Sequence, residues 1–168
     1  MAVFINLKII DIFKVAFLIS AIPVIIQTLL LPDVKNKSDL VRFFLFSILI
    51  TVFLIFIIEI KLHHILRAWI NIPNTFIYFI YASLIIYYLI KYKPIILSYN
   101  SLLMLSSFAF FGIAVVLDLI SGVRFIHFTQ SDIVKDIFQL SETIFWLLFF
   151  ISVYIKVKIK GHLKRMNI

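Results

Sequence analysis

The chain reads as all-α: a polytopic helical membrane protein, a compact bundle of five transmembrane helices, or four if the first lies in the interface. Three observations predict this. Of 168 residues, 64% are hydrophobic and only 14% charged, which is outside the composition of soluble globular domains. Apolar runs of about 16 to 20 residues recur along the whole length, matching the roughly 30 Å hydrocarbon thickness at about 1.5 Å per helical residue. The segments between them are short, so neighbouring helices are antiparallel and residues 1–168 form a single integral membrane domain.

The first span is expected at 15–31. Asp11 and Lys14 stand just ahead of it, and Pro23 lies near its centre. Neighbouring helices or water must then satisfy the backbone that the proline frees, which keeps the four-span arrangement open. Lys8 and Lys14 before an apolar stretch imitate a secretory signal. The apolar core, however, continues to Leu31 without a small-x-small cleavage site and ends in LPDVKNKSD, so the segment is expected to remain as a helix. Lys8, Asp11 and Lys14 are spaced by three and can pair along that helix as a structural anchor.

The second span, 43–60, runs into EIKLHHILR. There Glu59 and His63 share one helical face, with Arg67 a turn further on. The spacing could help hold a divalent cation if a third ligand came from elsewhere. A solvated or paired helix end is the favoured reading, since i,i+4 pairs are common on helices and the HExxH pattern is missing. His127 and His162 have no partner nearby in sequence.

The third span, 75–90, ends at KYKP, and the fourth, 102–117, runs into Asp118, Ser121 and Gly122. In the fourth, Ser106, Ala109 and Gly112 recur at every third position, a stripe on which another helix can approach closely. If the helix stops at Gly122, Asp118 is near the outer interface.

The fifth span, 140–157, is expected to begin as a helix before the lipid, with Ser131 as N-cap and Asp132 complementing the helix dipole. A turn of about 100° per residue places Asp132, Asp136, Gln139, Thr143 and Trp146 on one side, with Glu142 beside them. A charge at the bilayer centre costs several kcal/mol, so Glu142 should face protein or water. Asp118, Glu142, Thr143 and Trp146 therefore form the candidate intramembrane or interfacial polar site. A polar contact between the fourth and fifth helices is preferred there over an ion or proton site, and both over an acid/base catalytic pair.

The basic residues suggest an orientation. Lys35, Lys37, Arg42, Lys91, Lys93, Lys156, Lys158, Lys160, Lys164 and Arg165 fall on one side; Lys8, Lys14, Lys61, Arg67, Arg124 and Lys135 fall on the other. Five of the first group lie in the tail KVKIKGHLKR, so the C-terminus is expected in the cytoplasm, and with five spans the N-terminus outside. The short tail, 158–168, could attract anionic lipid. Trp69, Tyr87, Tyr88, Tyr92 and Tyr154 near span ends suit the headgroup zone.

The net charge of +8 is divided among short loops and the tail, an arrangement that marks a membrane side rather than a nucleic-acid partner. With no cysteine, disulfides and thiolate chemistry are excluded. No cofactor or metal motif is present, and no nucleophile accompanies the carboxylates. The expectation is a non-enzymatic multi-pass protein of a bacterial-type inner membrane, acting through helix-mediated interaction with itself (a homo-oligomer) or with a membrane protein partner. An oligomeric channel or proton- or cation-coupled carrier comes second, and an intramembrane enzyme third.

Overall fold

The computed structural model describes residues 2–59, 74–121 and 131–166, which are helical apart from short turns, with no strand among them. The helices are α1 (Ala2–Leu29), α2 (Pro32–Lys35), α3 (Ser38–Glu59), α4 (Asn74–Lys91), α5 (Lys93–Ser98), α6 (Ser101–Ser121) and α7 (Ser131–Met166). Four contain stretches long and apolar enough to cross a membrane: Ile9–Leu29, Ser38–Phe56, Ser101–Ile120 and Ile133–Leu163. The third expected span falls in α4, whose described part Phe79–Lys91 is an apolar helix.

α1 departs from its expected limits. The helix runs from Ala2, and Asp11 and Lys14 lie inside its apolar part Ile9–Leu29 rather than ahead of it. The reason is visible in the buried positions: Lys14, Leu18, Ala21, Ile25 and Thr28 follow the alternating three- and four-residue spacing of one helical face. Pro23 is exposed and the helix continues through it. Thr28 donates its hydroxyl to the Val24 carbonyl, at 2.7 Å, so this buried polar group is satisfied within its own helix.

Short proline-led helices turn the chain at one end. α2 carries Pro32 in its first turn, where the missing N–H costs no helical bond, and Val34 anchors it in the core. α5 uses Pro94 in the same way and buries Ile96. Lys156 on α7 reaches this end and donates to the Tyr99 carbonyl at 2.9 Å.

The long helix α7 is central, packed against α1 on one side and α6 on another, with α3 next to α1. Its buried positions, Glu142, Thr143, Trp146, Phe149, Phe150, Val153 and Val157, form a continuous helical stripe. Its 36 residues amount to about 54 Å of helix, longer than the roughly 30 Å of hydrocarbon a bilayer offers. The core around it is aromatic. Trp146 packs edge-on to Phe108 and Phe150, with ring centroids 5.5 and 5.1 Å apart, and donates its Nε1 to Thr51 of α3 at 2.9 Å.

α4 joins through rings rather than close backbone approach. Tyr88 stacks on Phe43 and Phe46 of α3 at 5.7 and 6.0 Å and shares a 2.7 Å hydroxyl bond with Ser47. Tyr81 meets Phe53 edge-on at 5.0 Å. Tyr88 and Tyr92, expected at the interface, are thus buried in the bundle, because their rings fill the gap between α4 and α3. Tyr87, one residue away and turned by about 100°, is exposed and accepts a bond from Lys91 at 2.8 Å.

Candidate functional site

Two pairs of polar residues, each spaced by three along a helix, face one another across the contact between α1 and α7. On α1, Lys14 forms a salt bridge with Asp11 at 2.5 Å. On α7, Asp136 and Gln139 accept bonds from the same Nζ at 2.9 and 3.0 Å. An ammonium has three donors, and all three are matched by these oxygens. Taking such a charge out of water costs several kcal/mol, which only close opposite charges and full hydrogen bonding offset. That requirement explains why α1 is already helical at Asp11 and Lys14, before the expected start of its span, and why this turn lies against α7.

Exposure falls steadily through this cluster. The Asp11 side chain is 45% exposed, Asp136 14% and Lys14 2%. Glu142, three residues beyond Gln139, is 1% exposed. Its Oε2 is buried without a hydrogen-bond partner, although the Lys14 charge acts on it. Its backbone carbonyl accepts the Ser107 hydroxyl of α6 at 3.0 Å. The Glu142 main chain is therefore fixed by α6 while its carboxyl lies a helical turn below the ammonium cluster.

Of the sequence-predicted site residues, Glu142, Thr143 and Trp146 are buried on the core face of α7. Thr143 donates to the Leu140 carbonyl at 2.8 Å and Trp146 is committed to Thr51. Asp118 and Glu142 do not form the expected contact between these helices. Asp118 pairs with Lys135 of α7, two helical turns, or about 10 Å of rise, from Glu142. Both Asp118 and Lys135 are partly exposed, consistent with a position near a helix end. α6 is described as far as Ser121, and Gly122, the expected stop, lies outside the described residues. α3 is described as far as Glu59, and His63, Arg67 and Trp69 lie outside the described residues. Among the described residues no group of three His, Cys, Asp or Glu is placed to hold a metal ion.

The small-residue stripe on α6 also turns out differently. Ala109 and Gly112 are exposed and Ser106 is half-buried, and a Cβ built on Gly112 would meet no described atom within 4 Å. Within the chain, α6 instead packs through Met104, Ser107, Phe108, Phe111 and Ala114. These larger side chains at helical spacing bury more apolar area than the small ones could.

Lys14 is the residue that sequence reasoning placed wrongly, as a basic flank on a span. The signal that could have found it is the spacing Lys14, Leu18, Ala21, Ile25, Thr28, which puts the lysine in register with the buried stripe.

The family described as Domain of unknown function (DUF8692) matches residues 8–153. The chain belongs to this family. The DUF8692 match takes in the whole Asp11–Lys14–Asp136–Gln139–Glu142 cluster and the Trp146 core, and stops before the basic end of α7. No curated protein and no solved structure matches the chain.

Proposed function

We propose that this DUF8692 chain is a non-enzymatic, multi-pass protein of a bacterial-type cytoplasmic membrane that acts by helix-mediated association, first of all with a second copy of itself. Large apolar side chains exposed on α1, α3, α4, α6 and α7, among them Phe13, Leu49, Phe79, Leu102 and Leu148, suit a lipid environment and would be a liability in water. The observation that carries the association is the outward position of Ala109 and Gly112 on α6, a flat strip in a surface of large side chains. In a bilayer, where lipid tails are as apolar as leucine, helices associate where small residues let backbones approach. A channel or carrier built on Asp118 with Glu142 is less well supported, since the two carboxyls have different surroundings and do not meet.

Because the chain has no cysteine, a single introduced thiol reports its own neighbours. Oxidation of Gly112→Cys in the membrane should give a disulfide-linked dimer, whereas Ile19→Cys, exposed on α1, should stay monomeric. Gly112→Leu should lower the associated mass in mild detergent. A monomeric wild type with no Gly112→Cys dimer would remove self-association. A co-purifying membrane protein lost on Gly112→Leu would put a partner in place of the second copy.

A further inference from the structure

We propose that the cluster between α1 and α7 is a proton-binding site, in which the Glu142 carboxyl takes up and releases the proton and Asp11, Lys14 and Asp136 connect it to water. This inference does not depend on self-association, since every group in it belongs to one chain.

The arrangement differs from a structural ion pair. An ammonium held only for packing needs its own acceptors, and Lys14 has them in Asp11, Asp136 and Gln139. Glu142 is extra. It adds a third carboxyl within reach of the charge of a single ammonium, in a position as buried as Lys14 itself, with Oε2 buried and without a partner. A buried carboxyl oxygen with no donor is costly as a permanent feature, and intramembrane carboxyls with one unmatched oxygen suit a group that is sometimes protonated. The graded exposure from Asp11 through Asp136 to Lys14 and Glu142 supplies a route. On uptake a hydronium entering from the exposed Asp11 side gives up its proton and becomes water, and a carboxylate oxygen of Glu142 forms the new O–H bond; release reverses the step.

The other groups around Glu142 leave this role to it. α6 contributes the Ser107 hydroxyl, spent on the Glu142 backbone, and Asp118, paired with Lys135. On α3 the charged side chains that the structure describes, Asp39 and Arg42, are in the first two turns, at the opposite end. From α4, Tyr88 is engaged with Ser47. A metal ion is the poorer occupant, because Lys14 already fills the cationic position among the oxygens and no three-ligand cage stands among the described residues.

Infrared difference spectroscopy of the purified full chain in phosphatidylcholine nanodiscs, with the proton itself as the probe, tests this directly. A pH step should produce and reversibly remove the carbonyl band of a protonated carboxyl in an apolar setting. Glu142→Gln should abolish that band, Lys14→Gln should displace the pH at which it appears, and Asp118→Asn should leave it in place. If Glu142→Gln does not assemble by size-exclusion chromatography, Glu142→Asp decides, because a shortened carboxyl at the same site must move the band. A wild-type band insensitive to pH, a band that survives Glu142→Gln, or one unmoved by Glu142→Asp would overturn the assignment.

Discussion

Lys14 shows how one side chain fixes the relation between two helices. Its ammonium is held by oxygens from both α1 and α7, and with it removed Asp136 would keep a largely buried charge without a counter-ion. Breaking a buried pair on one side typically costs about 3–5 kcal/mol, whereas replacing both partners by apolar groups is often neutral. Lys14→Met should therefore lower stability by about that amount, and Lys14→Met with Asp136→Leu should recover most of it, as read by thermal unfolding in detergent. Additive losses in the double variant would show that the pair contributes no coupling. This residue also marks where the sequence stops being informative. Asp136 and Gln139 were legible as a polar face of the last helix, but their partner lies more than a hundred residues earlier, Lys14 preceding Asp136 by 122 residues. A lone lysine near a span end has the same local pattern whether it reaches for headgroups or for another helix.

Helices as elements were easier to read than the faces they bury. The apolar runs located α1, α3, α6 and α7 because each is long enough for hydropathy to stand out. On α6 the small stripe faces out of the bundle, and the longer stripe of Met104, Phe108 and Phe111 supplies the packing inside the chain. Facing was misread on α4, where Tyr88 suited an interface and instead forms the link to α3. That link rests on few, large contacts, so it should be separable from the rest of the bundle. Tyr88→Ala removes the stacking on Phe43 and Phe46 and the bond to Ser47, a truncation of the kind that costs about 3–5 kcal/mol. Hydrogen–deuterium exchange should then speed up along α4 while α1, α6 and α7 keep their protection. Tyr88→Phe, which keeps the ring, should cost about 1 kcal/mol. Uniform loosening of all helices after Tyr88→Ala would mean that α4 is not a separable element.

On the scale of the whole molecule the charges are sorted by end. The chain reversals at α2 and at α5, together with the Lys156 bond to Tyr99, bring the last turns of α1, α4 and α7 to the same end as the first turns of α3 and α6. Ten of the basic residues belong to segments at this end, against the acids Asp33 and Asp39, which makes it strongly positive. Among the described residues at the opposite end, Lys14 is paired with Asp11 and Asp136, and Lys135 with Asp118. Such an asymmetry is what the positive-inside rule acts on, since clustered Lys and Arg near span ends resist translocation. The proposed orientation therefore has the C-terminus in the cytoplasm. A green fluorescent reporter fused after Ile168 should fluoresce and an alkaline phosphatase fused there should stay inactive. Replacing Lys156, Lys158, Lys160, Lys164 and Arg165 by Asn leaves Lys35, Lys37, Arg42, Lys91 and Lys93 at that end, fewer than the six basic residues that the order of spans in the sequence assigns to the other side. The bias is then lost, and the two reporters should reveal a mixed population. Strong phosphatase activity from the unmodified fusion would invert the topology and place the Lys14 cluster, with its route to water, on the cytoplasmic side.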